Sequence, residues 1–313
     1  MTERAAMKRI LVAGEINVDL VFKGCHAAPE PGREVLADDF VMTPGSSSMI
    51  CAMGLARLGS PVAFHGRLGA DNWGDYCLGA LGGAGIDIST LRSDPALRTG
   101  ITASLSTPRD RALVTFPGAI GALREDDVTD TMLAGAYHLH VSSFYLQRAL
   151  RPRCRALFAR ARAAGLTTSL DPGFDPERLW GMDLVEVLRE VDVFLPNEEE
   201  LLAISGRRDV ESALRTLDNG RTLTVVKRGR DGCAVLHEGR MLEVPAFTVD
   251  AADSTGAGDS FDAGFLHAWL QRQPLRECLR WGNACGSLST RAVGGTPGQP
   301  DAAEVRALLE EAP

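Results

Sequence analysis

The stretch Asp253-Ser-Thr-Gly-Ala-Gly-Asp259, followed directly by SFDAGFLHAWLQ, carries the sharpest signal in this chain. Phe261, Phe265 and Trp269, with Leu266 and Leu270, recur at helical spacing, so the pattern predicts a helix over Phe261–Gln271 that begins close to Asp259. Just ahead of it, Gly256, Ala257 and Gly258 form a small-residue turn whose backbone N–H groups can face an anion. A helix N-terminus offers about half a positive charge together with unpaired donors, which makes a phosphate cradle. A carboxylate inside such a cradle, Asp259, repels a resting phosphate. It suits a base that removes a proton from an attacking hydroxyl. The rival reading is an N-cap and a tight turn.

Outward from that helix, short β-branched runs alternate with longer amphipathic stretches. Strands are predicted at Ile10–Val12, Val62–His65, Tyr137–Val141, Thr168–Leu170, Val191–Leu195, Thr222–Lys227 and Ala234–Leu236. Helices are predicted at Met49–Leu58, Asp75–Leu81 (closed by Gly82-Gly83), Pro152–Ala164, Asn197–Ile204 and, in the tail, Asp301–Glu311. Glycines follow these helices where a left-handed residue ends them. The alternation predicts an α/β fold with a mostly parallel sheet covered on both faces. Two segments, 15–43 and 96–118, break it and read as short strands: Asp19–Phe22, Asp39–Met42, Thr102–Ser106 and Ala112–Phe116. They are expected to form a small separate sheet lying over one end of the main one. The large domain then comprises 1–14, 44–95 and 119–313.

Composition narrows the function. The chain has 313 residues, 45% of them hydrophobic, with a net charge of −8, which fits a soluble globular protein and argues against general nucleic-acid binding. No run approaches the roughly 18 apolar residues of a membrane helix. The start, MTERAAMKRILVAGE, is too short in apolar residues for a secretory leader, so a cytoplasmic location is expected. Seven scattered cysteines, Cys25, Cys51, Cys77, Cys154, Cys233, Cys278 and Cys285, lack metal or redox spacing and read as small buried hydrophobes. His138 and His140 share a strand face, but no carboxylate or cysteine lies nearby in sequence to complete a metal site, so a structural role is expected. There is no G-x-x-x-x-G-K-[ST] loop, and Gly14-Glu-Ile-Asn17-Val-Asp19 lacks the G-x-G-x-x-G of a dinucleotide fold, which disfavours a dehydrogenase.

A phosphate cradle of neither kind resembles that of the ribokinase/PfkB carbohydrate kinases. Asp253–Phe261 reads DSTGAGDSF, similar to that family's D-[ST]-T-G-A-G-D-x-F signature. Pro44–Gly85 resembles its N-terminal signature, and Pro196–Glu200 (PNEEE) its N-x-x-E element. Val226–Leu236 (VKRGRDGCAVL) resembles its nucleotide strand, and Asn283 also matches. The resemblance covers essentially the whole chain. It implies a three-layer ribokinase-like fold in which the two strand insertions are a β lid, and an ATP- and Mg²⁺-dependent kinase acting on a hydroxyl, a primary one, of a small neutral sugar.

The same resemblance implies roles for individual residues. Asp259 would be the catalytic base, and the amides of Gly256, Ala257 and Gly258 the anion hole. Asn197 and Glu200 would hold Mg²⁺ through water. Lys227, Gly229, Gly232 and Asn283, with Asn197, Gly256 and Gly258, would line the ATP site. Asp253 and Thr255 match positions that in the family often bind a monovalent cation such as K⁺. Asn17 and Asp19 would grip substrate hydroxyls beside Gly45 and Ser46.

Each assignment has a plainer rival. Asn197 with Glu200 is also a capping box, Gly229 and Gly232 a hairpin turn, and Asn17 and Asp19 turn-formers on one strand face. Arg67 and Arg111 read equally as substrate contacts or as solvated surface, and Trp73 and Trp180 as core. Ile50 stands where many relatives have asparagine, which counts against ribose specificity. Asp171-Pro-Gly-Phe-Asp175 resembles the D-x-N-x-R segment of fructokinases and ketodeoxygluconate kinases, with Asp175 replacing the arginine that pairs with an acid sugar. Alternatives are a nucleoside kinase of the same family, with Ile50 against the base, and a catalytically weak sugar-binding regulator. Exposed lid edges invite a homodimer.

Overall fold

The computed structural model describes residues 8–27, 29–106 and 111–311. The start of the leader reading (1–7) and residues 28 and 107–110 of the inserted segments lie outside the described residues. Strands β1 to β8 are Arg9–Ala13, Asn17–Lys23, Asp39–Pro44, Val62–His65, Arg67–Gly69, Arg92–Asp94, Gly100–Ser106 and Arg111–Phe116. Strands β9 to β14 are Ala136–Val141, Thr167–Leu170, Val193–Phe194, Leu223–Lys227, Cys233–His237 and Arg240–Val244. Helices α1 to α5 are Ser47–Arg57, Asn72–Gly83, Asp130–Ala134, Cys154–Ala163 and Asp183–Leu188. Helices α6 to α10 are Glu198–Ser205, Val210–Leu217, Ala257–Leu270, Leu275–Ser289 and Ala302–Glu311.

Eight strands form one sheet in the order β14-β13-β12-β11-β10-β9-β1-β4. Pairing is parallel from β12 to β4, and only the β12–β13–β14 edge is antiparallel. Each central strand feeds both faces because alternate side chains point opposite ways. On β1, Leu11 and Ala13 join a core built with Leu157 and Phe158 of α4, Leu201 of α6 and Leu214 of α7. Ile10 and Val12 join the opposite core, with Leu55 of α1, Leu81 of α2, Phe265 of α8 and Leu279 of α9. The result is three layers. Fully burying a side chain such as Phe265 or Leu55 stabilises the fold by roughly 1.5–3 kcal/mol.

The inserted segments build a second sheet, β3-β2-β7-β8, in which β2 pairs antiparallel with β3 and parallel with β7, and β7 antiparallel with β8. The strands expected at Asp19–Phe22, Asp39–Met42, Thr102–Ser106 and Ala112–Phe116 all lie within it. Three boundary shifts bear on the site or the glycine punctuation. The helix expected over Phe261–Gln271 starts at Ala257, with Gly256 as a left-handed N-cap. Helix α2 runs from Asn72 through Gly82-Gly83, and the positive φ falls on Gly85 instead. The strand expected at Val191–Leu195 pairs as β11 only at Val193–Phe194. Among the described residues no helix is long and apolar enough to cross a membrane.

The parallel strands share a C-terminal end, where chain leaving β1, β10, β11 and β12 delivers Glu15, Asp171, Asn197 and Lys227. Open α/β sheets bind ligands at that end.

Candidate active site

Helix α8 begins there from an N-cap residue without a side chain. Gly256 takes φ 70°, and no side-chain cap bonds to the first turn. The N–H of Ala257 makes a long 3.3 Å bond to the Ser254 carbonyl. Unpaired donors at a helix N-terminus attract an acceptor from outside the chain. Gly256 is required by contact as well as by φ, since a Cβ there would lie 2.7 Å from the Gly295 Cα and 3.1 Å from Ile50. Asp253 shapes the preceding turn by accepting from the Thr255 hydroxyl (2.8 Å) and N–H (3.0 Å) and from the Gly294 N–H (2.9 Å).

Asp259 lies on the first turn of α8, partly exposed. Burial, and next the nearby Asp171 carboxylate, push its carboxyl up to about 7, although Lys227 acts in the opposite direction. That value suits a base working near neutrality. One carboxylate oxygen from each of Asp171, Asp259 and Asp262 lies within 4.8 Å of the other two. Lys227 is folded among them: its Nζ donates to Asp171 Oδ2 at 2.6 Å and to both oxygens of Asp262 at 3.0 and 3.1 Å. Burial alone raises a carboxyl, yet Lys227 brings Asp171 below the usual carboxylate range, while Asp262 stays well above it.

Asn197 and Glu200 form a reciprocal capping box at α6: the Glu200 N–H donates to Asn197 Oδ1 (2.9 Å) and the Asn197 N–H to Glu200 Oε2 (2.8 Å). Burial and then Asp171 push Glu200 up to about 7. A buried carboxylate beside two others is an environment a divalent cation relieves, so this residue pair fits Mg²⁺.

On the small sheet, Asn17 Nδ2 donates to Asp19 Oδ1 (2.9 Å) and to the Thr102 hydroxyl (3.1 Å). Gly45 is pressed against Asp19: a Cβ on it would meet Asp19 Oδ1 at 2.2 Å. Ser46 has φ 67° and ψ 144°, caps α1 by accepting from the Met49 N–H, and donates to the Glu15 carbonyl at 2.8 Å. Helix α1 then packs along α8, with Ile50 seated on Gly256 and Gly295. In this way the structure ties Asn17, Asp19, Gly45 and Ser46 to the turn that holds Gly256, Ala257, Gly258 and Asp259.

Other expected residues are placed differently. Lys227 is turned inward onto two carboxylates, so only its backbone is left to face a nucleotide. The Asn283 amide donates to the carbonyls of Val244 (2.9 Å) and Pro245 (3.0 Å) and pins the end of β14. Gly229 has φ 57°, and Gly232 has φ 85° with room only for hydrogen, since a Cβ would lie 2.0 Å from the Val244 carbonyl oxygen. Those two form the tight β12–β13 connection. Ile50 is only 3% exposed, so it presents no surface to a nucleoside base. Asp175 is buried as well, accepting the N–H groups of Glu177, Leu179 and Trp180. Arg67 is held by Asp127 and Asp94. The ring nitrogens of His138 and His140 are taken up by Thr167, Ser169 and Ser142 hydroxyls, and burial lowers both rings, His140 to about 4.

Three residues had no role assigned from sequence. Glu15 is buried and binds the Ser48 N–H (3.1 Å) and hydroxyl (2.6 Å), anchoring the start of α1. Asp171 was legible only as part of a motif, and Asp262 resembled any polar residue on an otherwise buried helix.

The family profile described as pfkB family carbohydrate kinase matches residues 7–302. The chain belongs to the PfkB family. It is 32% identical over 307 residues to an ATP-dependent ribose-1-phosphate kinase of Halopiger xanaduensis, covering 97% of this chain and 99% of that one. It is 30% identical to probable fructokinase-4 of Arabidopsis thaliana, covering 97% of each chain. Among solved structures, the Arabidopsis thaliana ribokinase complexed with ribose and ATP superimposes with a TM-score of 0.83, with 25% identity over 97% of this chain and 99% of that one. The fold is ribokinase-like, and this PfkB protein is a sugar kinase.

Proposed function

We propose that this PfkB kinase transfers the γ-phosphoryl group of ATP to a hydroxyl, a primary one, of a small neutral sugar, with Asp259 as the base. The observation that carries the reading is the position of Asp259, a carboxyl held near neutrality at the uncapped N-terminus of α8. Ionised Asp259 accepts the proton of the sugar hydroxyl as its oxygen bonds to the γ-phosphorus. The bond from that phosphorus to the bridging oxygen breaks and ADP leaves. The N–H groups of Gly256, Ala257 and Gly258 stabilise the charge on the transferring group, aided by the macrodipole of α8. Asn17 and Asp19, with Gly45 and Ser46, orient the sugar. The turn at Gly229 and Gly232 and the backbone that Asn283 pins shape the nucleotide groove. Glu200 and Asn197 would hold Mg²⁺, which when bound neutralises phosphate charge. K⁺ at Asp253 and Thr255 completes the reading, tested by comparing turnover in K⁺ and in tetramethylammonium buffers.

The small sheet is assigned the role of a lid that excludes water from the reacting groups. A homodimer through it fits the apolar residues it leaves exposed, among them Phe40, Val114 and Phe116. A second substrate reading, a pentose 1-phosphate, is favoured by the likeness to the Halopiger xanaduensis kinase. ADP release across fructose, ribose, ribose 1-phosphate, ketodeoxygluconate and adenosine tests these readings. Turnover confined to a neutral sugar or its 1-phosphate is expected. Turnover with adenosine alone would move the assignment to a nucleoside kinase. Saturable sugar binding with no ADP release would move it to a regulator.

A further inference from the structure

A buried ammonium is destabilising by several kcal/mol unless carboxylates surround it, so the inward turn of Lys227 needs a reason. Its partners come from separate elements. Asp171 follows β10, and Asp262 lies on α8 one turn beyond Asp259. The backbone of Lys227 pairs with Asn197, its N–H donating to the Pro196 carbonyl at 2.9 Å. Its Nζ lies beside the first turn of α8, 3.6 Å from where a Cβ on Gly258 would stand. One side chain thereby joins the metal motif, the chain after β10 and the catalytic helix.

The charged groups that bear on Asp259 are Asp171 after β10, Asp262 on its own helix, Lys227 at the end of β12, Glu200 on α6 and Glu15 after β1. Lys227 is the cation in that set, against four carboxyl groups. We propose that Lys227 is a positioning residue for phosphoryl transfer: clamped by Asp171 and Asp262, it fixes the start of α8 and supplies the positive charge that keeps Asp259 available as a base. This rests on the reading of Asp259 as the base, and assigns Lys227 no contact with ATP.

Removing the ammonium leaves Asp259 facing carboxylates alone, which raises its affinity for a proton. In Lys227→Met the acid limb of kcat/KM against pH is therefore expected to move up by at least one unit. The variant would lose tenfold or more activity at pH 6, and the loss would shrink toward pH 9, while KM for ATP stays within about twofold. Lys227→Met/Asp171→Asn removes one charge of each sign and is expected to return the limb to within about half a unit of the starting protein. It also guards against failure of the single variant to fold. A pH-independent loss in both variants, or a KM for ATP raised tenfold in both, would overturn the proposal. The carboxyl ¹³C resonance of Asp259, assigned with Asp259→Asn, is followed in the same proteins without substrate. An upward move of its midpoint in Lys227→Met supports the charge role even where no sugar is turned over, a result that would count against the kinase reading alone. An unmoved midpoint overturns the charge role whatever the turnover.

Discussion

Ser46 and Ser143 have φ values of 67° and 53°, a region glycine enters with less strain. At Ser46 the ψ of 144° makes the conformation close to one reserved for glycine, yet the hydroxyl both caps α1 and binds the Glu15 carbonyl. Strain of this kind is about 1–3 kcal/mol, whereas exchanging a serine cap for glycine forfeits a few tenths. Ser46→Gly is therefore expected to raise stability by about 1 kcal/mol in urea unfolding while raising KM for the sugar severalfold. A loss of stability would show that Ser46 is unstrained. Asp259 gives a second prediction. Its carboxyl is raised to about 7 in the folded chain, so the unfolded chain ionises first and stability falls as pH rises from about 4 through 7. Asp259→Asn removes that loss, and its melting temperature relative to the starting protein should climb between pH 5 and pH 8. A difference independent of pH would contradict the raised value. At this scale Asp259 stood out as a candidate because small residues and a helix period surround it. Asp262 and Glu15 were not, because their meaning depends on which strands end beside them.

Among the elements, the β12–β13 connection is the most demanding. With φ 85° and 2.0 Å between a Cβ and the Val244 carbonyl oxygen, Gly232 has no tolerance for a side chain. Gly232→Ala should destabilise by about 2–4 kcal/mol and weaken ATP binding more than sugar binding, as read by calorimetry. Equal weakening of both would separate this turn from the nucleotide groove. Most strands and helices were readable from period and glycine punctuation. Several were not singled out, among them three whose sequences show why. Helix α5 has six residues, too few for a period to register, and α7 follows the charged run Arg207-Arg208-Asp209, with Asp218-Asn219 between its end and Gly220. Strand β14 lies at the antiparallel edge, with Arg240 and Glu243 exposed, so it lacks the apolar run of a central strand.

For the whole molecule, the path between sheets sets what moves together. The end of β3 at Thr43 presses on Gly294, where a Cβ would come within 2.6 Å, and Gly295 packs on Gly256. Closing the small sheet over a sugar would therefore bear on the turn proposed as the anion hole. Hydrogen exchange of β2, β3, β7 and β8 should slow at least severalfold when sugar and ATP are both bound. Unchanged exchange would remove the lid role. The large α/β body and the strand insertions were both legible in sequence. Their mutual contact was not, because it depends on residues such as Thr43 and Gly294 that lie about 250 positions apart. The most direct measurement is turnover of Asp259→Asn with saturating Mg-ATP and the preferred sugar, alongside calorimetric binding of that sugar. A loss of kcat by about 10³-fold or more is expected, with sugar affinity kept within a few fold. Near-normal turnover would contradict it.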